Sequence, residues 1–269
     1  MLEGITLKRS AIAYIHRQNP PLARAENMSF YDRVTASGAE ITQFMVQGPE
    51  LVLLRQPTAV QNGLEIRVGG FGPNPQLQQL RLLVNELIAG SGPPVMTLVR
   101  ETADLVYDAF VAVWGEKATE VVLVEVTQEM LAPAPRGEAR RFLAEDVAHL
   151  DPAALVHLGK NFQGFGIRLM APPLEMGLNA GEPHVLPGAD VELRVETFLG
   201  DNSQLHVVMT ARWPALTIPT HQLPPEVRSR VGGPVLQANI KAERPSHYLD
   251  LSYEYVTKNV KAFLEYGSQ

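Results

Sequence analysis

Two alternating runs constrain this chain more than any other feature. Val191, Leu193 and Val195 alternate with Glu192, Arg194 and Glu196. Leu205, Val207, Met209, Ala211 and Trp213 alternate with His206, Val208, Thr210 and Arg212. Side chains on a strand point to opposite faces in turn, so each run has one apolar and one wetter face. Between them lies Gly200-Asp201-Asn202-Ser203, residues that tolerate left-handed backbone and hydrogen-bond their own turns. Two such runs around such a loop make a hairpin. A one-residue slip would turn the apolar set to the wrong face, so Leu193 pairs with Met209 or with Ala211. The Ala211 register sets Glu192 opposite Arg212, and the Met209 register sets Glu196 opposite His206. Both are chemically sensible, and the charged residues read as a solvated sheet face.

A chain of 269 residues accommodates one large domain or two of ordinary size. At that size about 70% of the unfolded surface is buried, enough for a core without covalent staples. Hydrophobic residues make up 45% and charged residues 19%, which suits a globular protein. The net charge is −6 with no long basic run, which argues against broad electrostatic binding of nucleic acid. There is no cysteine, so disulfides, thiolate nucleophiles and cysteine-ligated metals are excluded. Residues 1–18 mix Glu3, Lys8, Arg9, His16 and Arg17 among apolar residues and lack the continuous apolar core of a secretory signal. No stretch approaches the roughly 20 apolar residues of a membrane span. The expectation is a cytoplasmic protein with no membrane association.

Along the chain, Ile5 to Ile15 reads as a strand, and Gln18 to Ser37 as a loop with at most a short helical turn. Glu40–Val46, Leu51–Arg55 and Leu64–Val68 are strand-like. Asn74 as cap, Pro75 at a first helical position, and Leu77, Leu80, Leu83, Val84 and Leu87 at helical spacing predict a helix closed by Gly90. A second helix is expected from Thr97 to Trp114, ended by Gly115. Thr119–Val126 is a β-branched run typical of a buried strand. Ala132-Pro133-Ala134-Pro135 reads as an extended linker, dividing the chain into 1–131 and 138–269. Beyond it come helical composition to Leu150, a short helix from Asp151 to Leu158, a strand at Phe165–Ala171, and long loops at Pro172–Gly188 and Pro214–Pro245. Residues 248–256 alternate as a strand leading into a terminal helix. One continuous helix from Tyr248 is the competing reading. Phe110-Val111 at the end of one helix matches Phe263-Leu264 at the end of the other, which allows a duplication of an α+β unit.

The most site-like motif is Gly69-Gly70-Phe71-Gly72, between the Leu64–Val68 strand and the expected Pro75 helix. A glycine turn feeding a helix N-terminus can hold a phosphate on free N–H groups, with Arg67 or Arg55 assisting. The dinucleotide fingerprint needs a further glycine that is absent here, and Pro73 and Pro75 remove two donors. Gly159-Lys160-Asn161 lacks the spacing of a P-loop. The seven histidines (His16, His149, His157, His184, His206, His221 and His247) form no pair at metal-ligand spacing, so no metal site is expected. Ser91 lacks the nucleophile-elbow context. Arg136, Arg140 and Arg141 form the densest basic cluster.

The sequence therefore predicts an α+β protein of two similar-sized halves, each a mainly antiparallel sheet with helices packed on one face. Every catalytic signature is absent or broken, and the long apolar loops suit contacts with a partner. The functional expectation is a non-catalytic protein-binding or assembly protein that acts through a protein partner or homo-oligomerisation. The alternative is a small-molecule or phosphate sensor, or an enzyme, using Arg67, Gly69, Gly70 and Gly72. No cofactor is indicated.

Overall fold

The structure, a computed structural model, describes residues 5–16, 23–48, 50–71, 74–85, 87, 95–151, 153, 164–171, 188–214 and 240–266. Its strands are β1 (Thr6–His16), β2 (Gln43–Gln47), β3 (Glu50–Arg55), β4 (Gly63–Phe71), β5 (Asn74–Asn85), β6 (Glu120–Val121), β7 (Leu123–Pro133), β8 (Gly166–Ala171), β9 (Asp190–Thr197), β10 (Gln204–Trp213) and β11 (Ile240–Lys241). Helices are α1 (Arg24–Ala36), α2 (Val95–Trp114), α3 (Ala139–Arg141, continued by a wider-wound turn over Phe142–Val147) and α4 (Pro245–Tyr266). Nine strands form one antiparallel sheet in the order β2-β3-β4-β5-β1-β7-β10-β9-β8, and β6 pairs with β11 in a small second sheet. This is the expected α+β class with a large antiparallel sheet. The sheet is continuous across the middle of the chain, because β7 and β10 pair from Gln204–Pro133 to Trp213–Val124.

The alternation of apolar residues decides which face is covered. Ile12 lies between Leu82 and Val126, and Tyr14 between Leu80 and Val124. These residues are buried and join the core with Leu53, Ile66, Met130, Val207 and Met209. The helices seal that face. Tyr14 stacks on Tyr107 of α2 at 4.9 Å and meets Tyr248 of α4 edge-on at 6.4 Å. Phe30 of α1 packs against Phe110 and Trp114 of α2, and Phe142 packs against Phe263 of α4.

Helices α2 and α4 are locked together by charge. The Ser246 N–H in the first turn of α4 donates to Asp104 Oδ1 of α2 at 2.9 Å. That carboxylate satisfies an otherwise free helix donor and sits at the positive end of the dipole. One turn earlier on α2, Arg100 donates to both carboxylate oxygens of Asp250 at 3.1 Å. Among the described residues no helix is long and apolar enough to cross a membrane.

Several expectations are corrected. Residues 74–85 form strand β5, not a helix. Leu80, Leu82 and Val84 are the true alternating set, paired on both sides by β1 and β4. Leu83, which completed the helical spacing, is buried on the opposite face. Two ladders on the backbone outweigh local propensity. Residues 248–256 belong to the single helix α4, the competing reading. There Leu249, Ser252, Val256 and Val260 are the buried stripe. The loop expected over 18–37 contains the 13-residue helix α1, whose weak amphipathicity hid it: only Asn27, Phe30 and Val34 are buried. The expected linker is part of the sheet. Pro133 ends β7, Ala132 and Ala134 are buried, and Ala134 N–H donates to the Ser203 carbonyl at 2.8 Å. The helix expected over 151–158 and the long loops lie almost wholly outside the described residues.

Replacing Asp104 with Ala should cost about 1 kcal/mol of stability in urea denaturation, and Asn should recover part of it. A pH titration tests the aromatic core. Burial pushes the Tyr107 phenol up from 10.0 to about 12 and pushes Tyr14 up as well. A phenol held protonated by folding stabilises the protein fully below the unfolded value near 10, and that stability is lost as pH rises through the folded value. The expected result is falling stability between pH 10 and 12, with late tyrosinate absorbance that becomes ordinary when the protein is unfolded.

Candidate functional site

The β9–β10 hairpin and β8 build one end of the sheet. Strands β9 and β10 pair in the Met209 register, with Leu193 opposite Met209 and Glu196 opposite His206. Val191, Leu193 and Val195 therefore face the helices, and Glu192, Arg194 and Glu196 face the other side. The turn is fastened locally: Asp201 Oδ1 accepts from the Ser203 N–H at 2.9 Å and from its hydroxyl at 2.6 Å. Ala139 N–H donates to the Asn202 carbonyl at 2.8 Å, so the α3 segment holds the turn from outside.

The polar face carries a connected set of charges. His206 Nδ1 lies 3.2 Å from Glu196 Oε1, and its Nε2 lies 3.0 Å from Glu129 Oε1. Arg9 reaches the other oxygen of Glu129 at 3.2 Å. Arg212 donates to Glu125 at 2.7 Å, and Arg168 of β8 pairs with Glu192 at 2.8 Å. Both nitrogens of His206 face carboxylates, so neither reaches a substrate without breaking a contact. Among the described residues, no group of three or more His, Asp or Glu side chains is placed to hold a metal ion.

Beside His206 lies an open groove of about 510 Å³. Phe165, Phe198 and Leu199 wall it, and Glu196 and His206 supply its polar side. Thr197 fixes the wall: its N–H donates to the Phe165 carbonyl at 2.9 Å, and its Oγ1 accepts from the Phe165 N–H at 3.1 Å. Gly166 is required by close approach, because a Cβ there would stand 2.9 Å from the Glu196 Cβ. The groove runs into β8, the last strand of the sheet. Strand β8 pairs with β9 on one side, and among the described residues no strand pairs with its other side. Leu169 is 52% exposed, Met170 59% and Leu199 77%. An open strand edge flanked by apolar side chains can accept an added strand, with backbone groups supplying hydrogen bonds and the groove taking a side chain.

The Gly69–Gly72 region is arranged differently from the cradle that motivated it. Gly69 pairs with Glu50 and Gln79, and Gly70 with Gln78, with a register shift before Phe71. Gly72 lies outside the described residues. The φ of Gly69, 128°, explains a glycine at this irregularity in the ladder. A strand follows instead of a helix, so no helix N-terminus points at this turn. Arg67 donates to Glu65 at 2.6 Å and to Glu50 at 3.4 Å. The bond to Glu65 raises its pKa further. Arg55 donates to the Asn62 carbonyl at 3.0 Å. In the basic cluster, Arg141 pairs with Glu145 at 3.3 Å and Glu138 at 3.8 Å. The β8 groove was not found by motif reading. Its one sequence signal was the Met209 register, which put Glu196 beside His206.

Replacing His206 with Ala leaves Glu129 and Glu196 without their shared partner. The variant should lose roughly 1 kcal/mol at low ionic strength and less in about 1 M salt, where the half-buried charges are screened. Urea melts at the two salt concentrations check this.

No family model matches the chain, and no curated protein matches it. Among solved structures it is similar to the di-domain ARO/CYC BexL from the BE-7585A biosynthetic pathway, at 9% identity over 97% of each chain with a TM-score of 0.23. It is also similar to the di-domain ARO/CYC StfQ from the steffimycin biosynthetic pathway, at 10% identity over 96% of this chain and 95% of that one, with a TM-score of 0.19. Likeness at this level carries no argument about the groove or its ligand.

Proposed function

We propose that this chain is a non-catalytic protein-binding protein that takes an extended segment of a partner protein along strand β8. The observation that carries the reading is an edge strand with no outer partner among the described residues, bordered by exposed Leu169, Met170 and Leu199, with a groove of about 510 Å³ beside it. Water is a poor partner for such side chains, and soluble proteins usually guard open edges with charge, proline or a bulge. Here one charge, Arg168, lies on β8, and Glu192 already holds it at 2.8 Å. Strand addition would pair the edge backbone. Phe165, Phe198 and Leu199 would receive an apolar side chain of the partner, while Glu196 at the groove wall would favour a basic residue next to it.

The test is native mass spectrometry of the protein purified from its own source, wild type beside Leu169→Lys. A lysine on the edge removes apolar contact and sets an unpaired charge against any added strand. The wild type should retain a second protein species, and the folded Leu169→Lys variant should lose it. Retention of the same species by the variant would overturn the reading. So would a discrete small molecule as the only retained mass.

A further inference from the structure

The opposite end of the nine-stranded sheet is β2, which pairs with β3 on one side, with Phe44 opposite Leu53, Met45 opposite Val52 and Val46 opposite Leu51. Among the described residues no strand pairs with its outer side. Phe44 is 37% exposed and Val46 55%. The strand reads Gln-Phe-Met-Val-Gln, with no charge, proline or glycine. Of the two sheet edges left unpaired among the described residues it is the one without a charge on its strand, and an edge of this kind templates pairing with another chain.

We infer that β2 is the contact between two copies of this chain, joined antiparallel about a two-fold axis through Met45. Symmetry and face together select this register. A two-fold interface brings the same strand onto itself. Each pair of opposed residues must lie on the same face, or the apolar set of one copy would be turned to the wrong side of the other. The axis must then pass through a residue, and Met45 is the centre that pairs all five positions. On the helix-covered face, Phe44 of each copy meets Val46 of the other, an aromatic–β-branched pair of the favourable kind. Tyr31 of α1 already packs edge-on against Phe44 at 5.2 Å, so this ring is held in place before pairing. On the other face Met45 meets Met45, and Gln43 and Gln47 meet as amides.

Charge agrees with the same register. Glu50 of β3 is opposite Gln47 and 3.4 Å from Arg67. Pairing Gln47 with Gln43 of the second copy sets the two Glu50 side chains at opposite ends of the contact. That separates them by four residues along the strand, about 13 Å, beyond the screening length at physiological salt. A five-residue pairing is smaller than a standard stable interface, so the dimer forms reversibly with concentration. The inference is independent of the β8 reading, which concerns the other edge.

Sedimentation equilibrium of the full chain over rising concentration tests it. The wild-type mass should climb from 29.5 kDa toward twice that value. Because Met45 is opposite itself, Met45→Lys alone and Met45→Glu alone should each stay monomeric. An equimolar mixture of the two should dimerise again, while Leu169→Lys should dimerise as wild type does. A wild type that stays monomeric at every concentration would overturn the inference, as would a dimer that survives Met45→Lys or is lost with Leu169→Lys. Folded single variants whose mixture stays monomeric would reject the Met45-centred register.

Discussion

Strand β1 hydrogen-bonds on both sides, to β5 and to β7, and is buried on both faces from Ser10 to His16. The nine-stranded sheet depends on this placement. Ile12 and Tyr14 face the helices, and Ala11 and Ala13 face the other way. Small residues on that second face let the flanking strands bring Arg81, Glu125 and Thr127 into cross-strand rows around them. On the helix side, the Tyr14 hydroxyl donates to the Glu243 carbonyl at 3.0 Å, and the Glu243 N–H donates to the Tyr248 hydroxyl at 3.1 Å. The central strand is thereby tied to the segment entering α4. A buried phenol needs such a partner, because an unsatisfied hydroxyl in a core costs about as much as a lost hydrogen bond.

Much of the architecture was legible where one periodicity stood alone. The β9–β10 hairpin, the 64–68 strand and helix α2 with Gly115 at its end each carry a single pattern. The failures share a physical cause. In residues 80–84 two patterns overlap, because Leu83 is buried on the second face and interrupts the alternation of Leu80, Leu82 and Val84. In 248–256 the ambiguity ran the other way, since Tyr253 and Tyr255 on a helix flank mimic an alternating strand. Helix α1 was invisible because a helix that buries only three of its residues leaves little stripe. The proline-rich 132–135 segment was misleading because an edge-like proline is tolerated at the end of β7, where the ladder finishes.

The candidate site was less legible, because its residues come together only through register and strand order. Glu196 and His206 are neighbours across a hairpin, and the sequence could propose that pairing. Glu129 is distant in the chain, and only the β7–β10 ladder brings it to the other nitrogen of His206. The exposure of Leu169 and Met170 follows from β8 ending the sheet, a property of topology that no local pattern carries. The Gly69–Gly72 motif shows the reverse: a local pattern pointed to a following helix, and a strand stands there. Gly69 and Gly70 stand at a ladder irregularity between β4 and β5, and Arg67 is already held by two carboxylates.

The chain order of this sheet also bears on synthesis. One of the two ladders of β1 waits for β7, which begins at Leu123, and its tyrosine waits for Glu243. At ribosomal rates of about 5–20 residues per second, the interval from Tyr14 to Glu243 is roughly 10 to 50 s. Within that interval β5, Tyr107 of α2 and then β7 reach β1 in turn, and the Tyr14 hydroxyl is the part that waits longest for its partner. Contacts of such long sequence separation also close slowly. In a nascent chain of this topology the α4 cover therefore comes after all nine strands of the large sheet, once its first turn can meet Asp104.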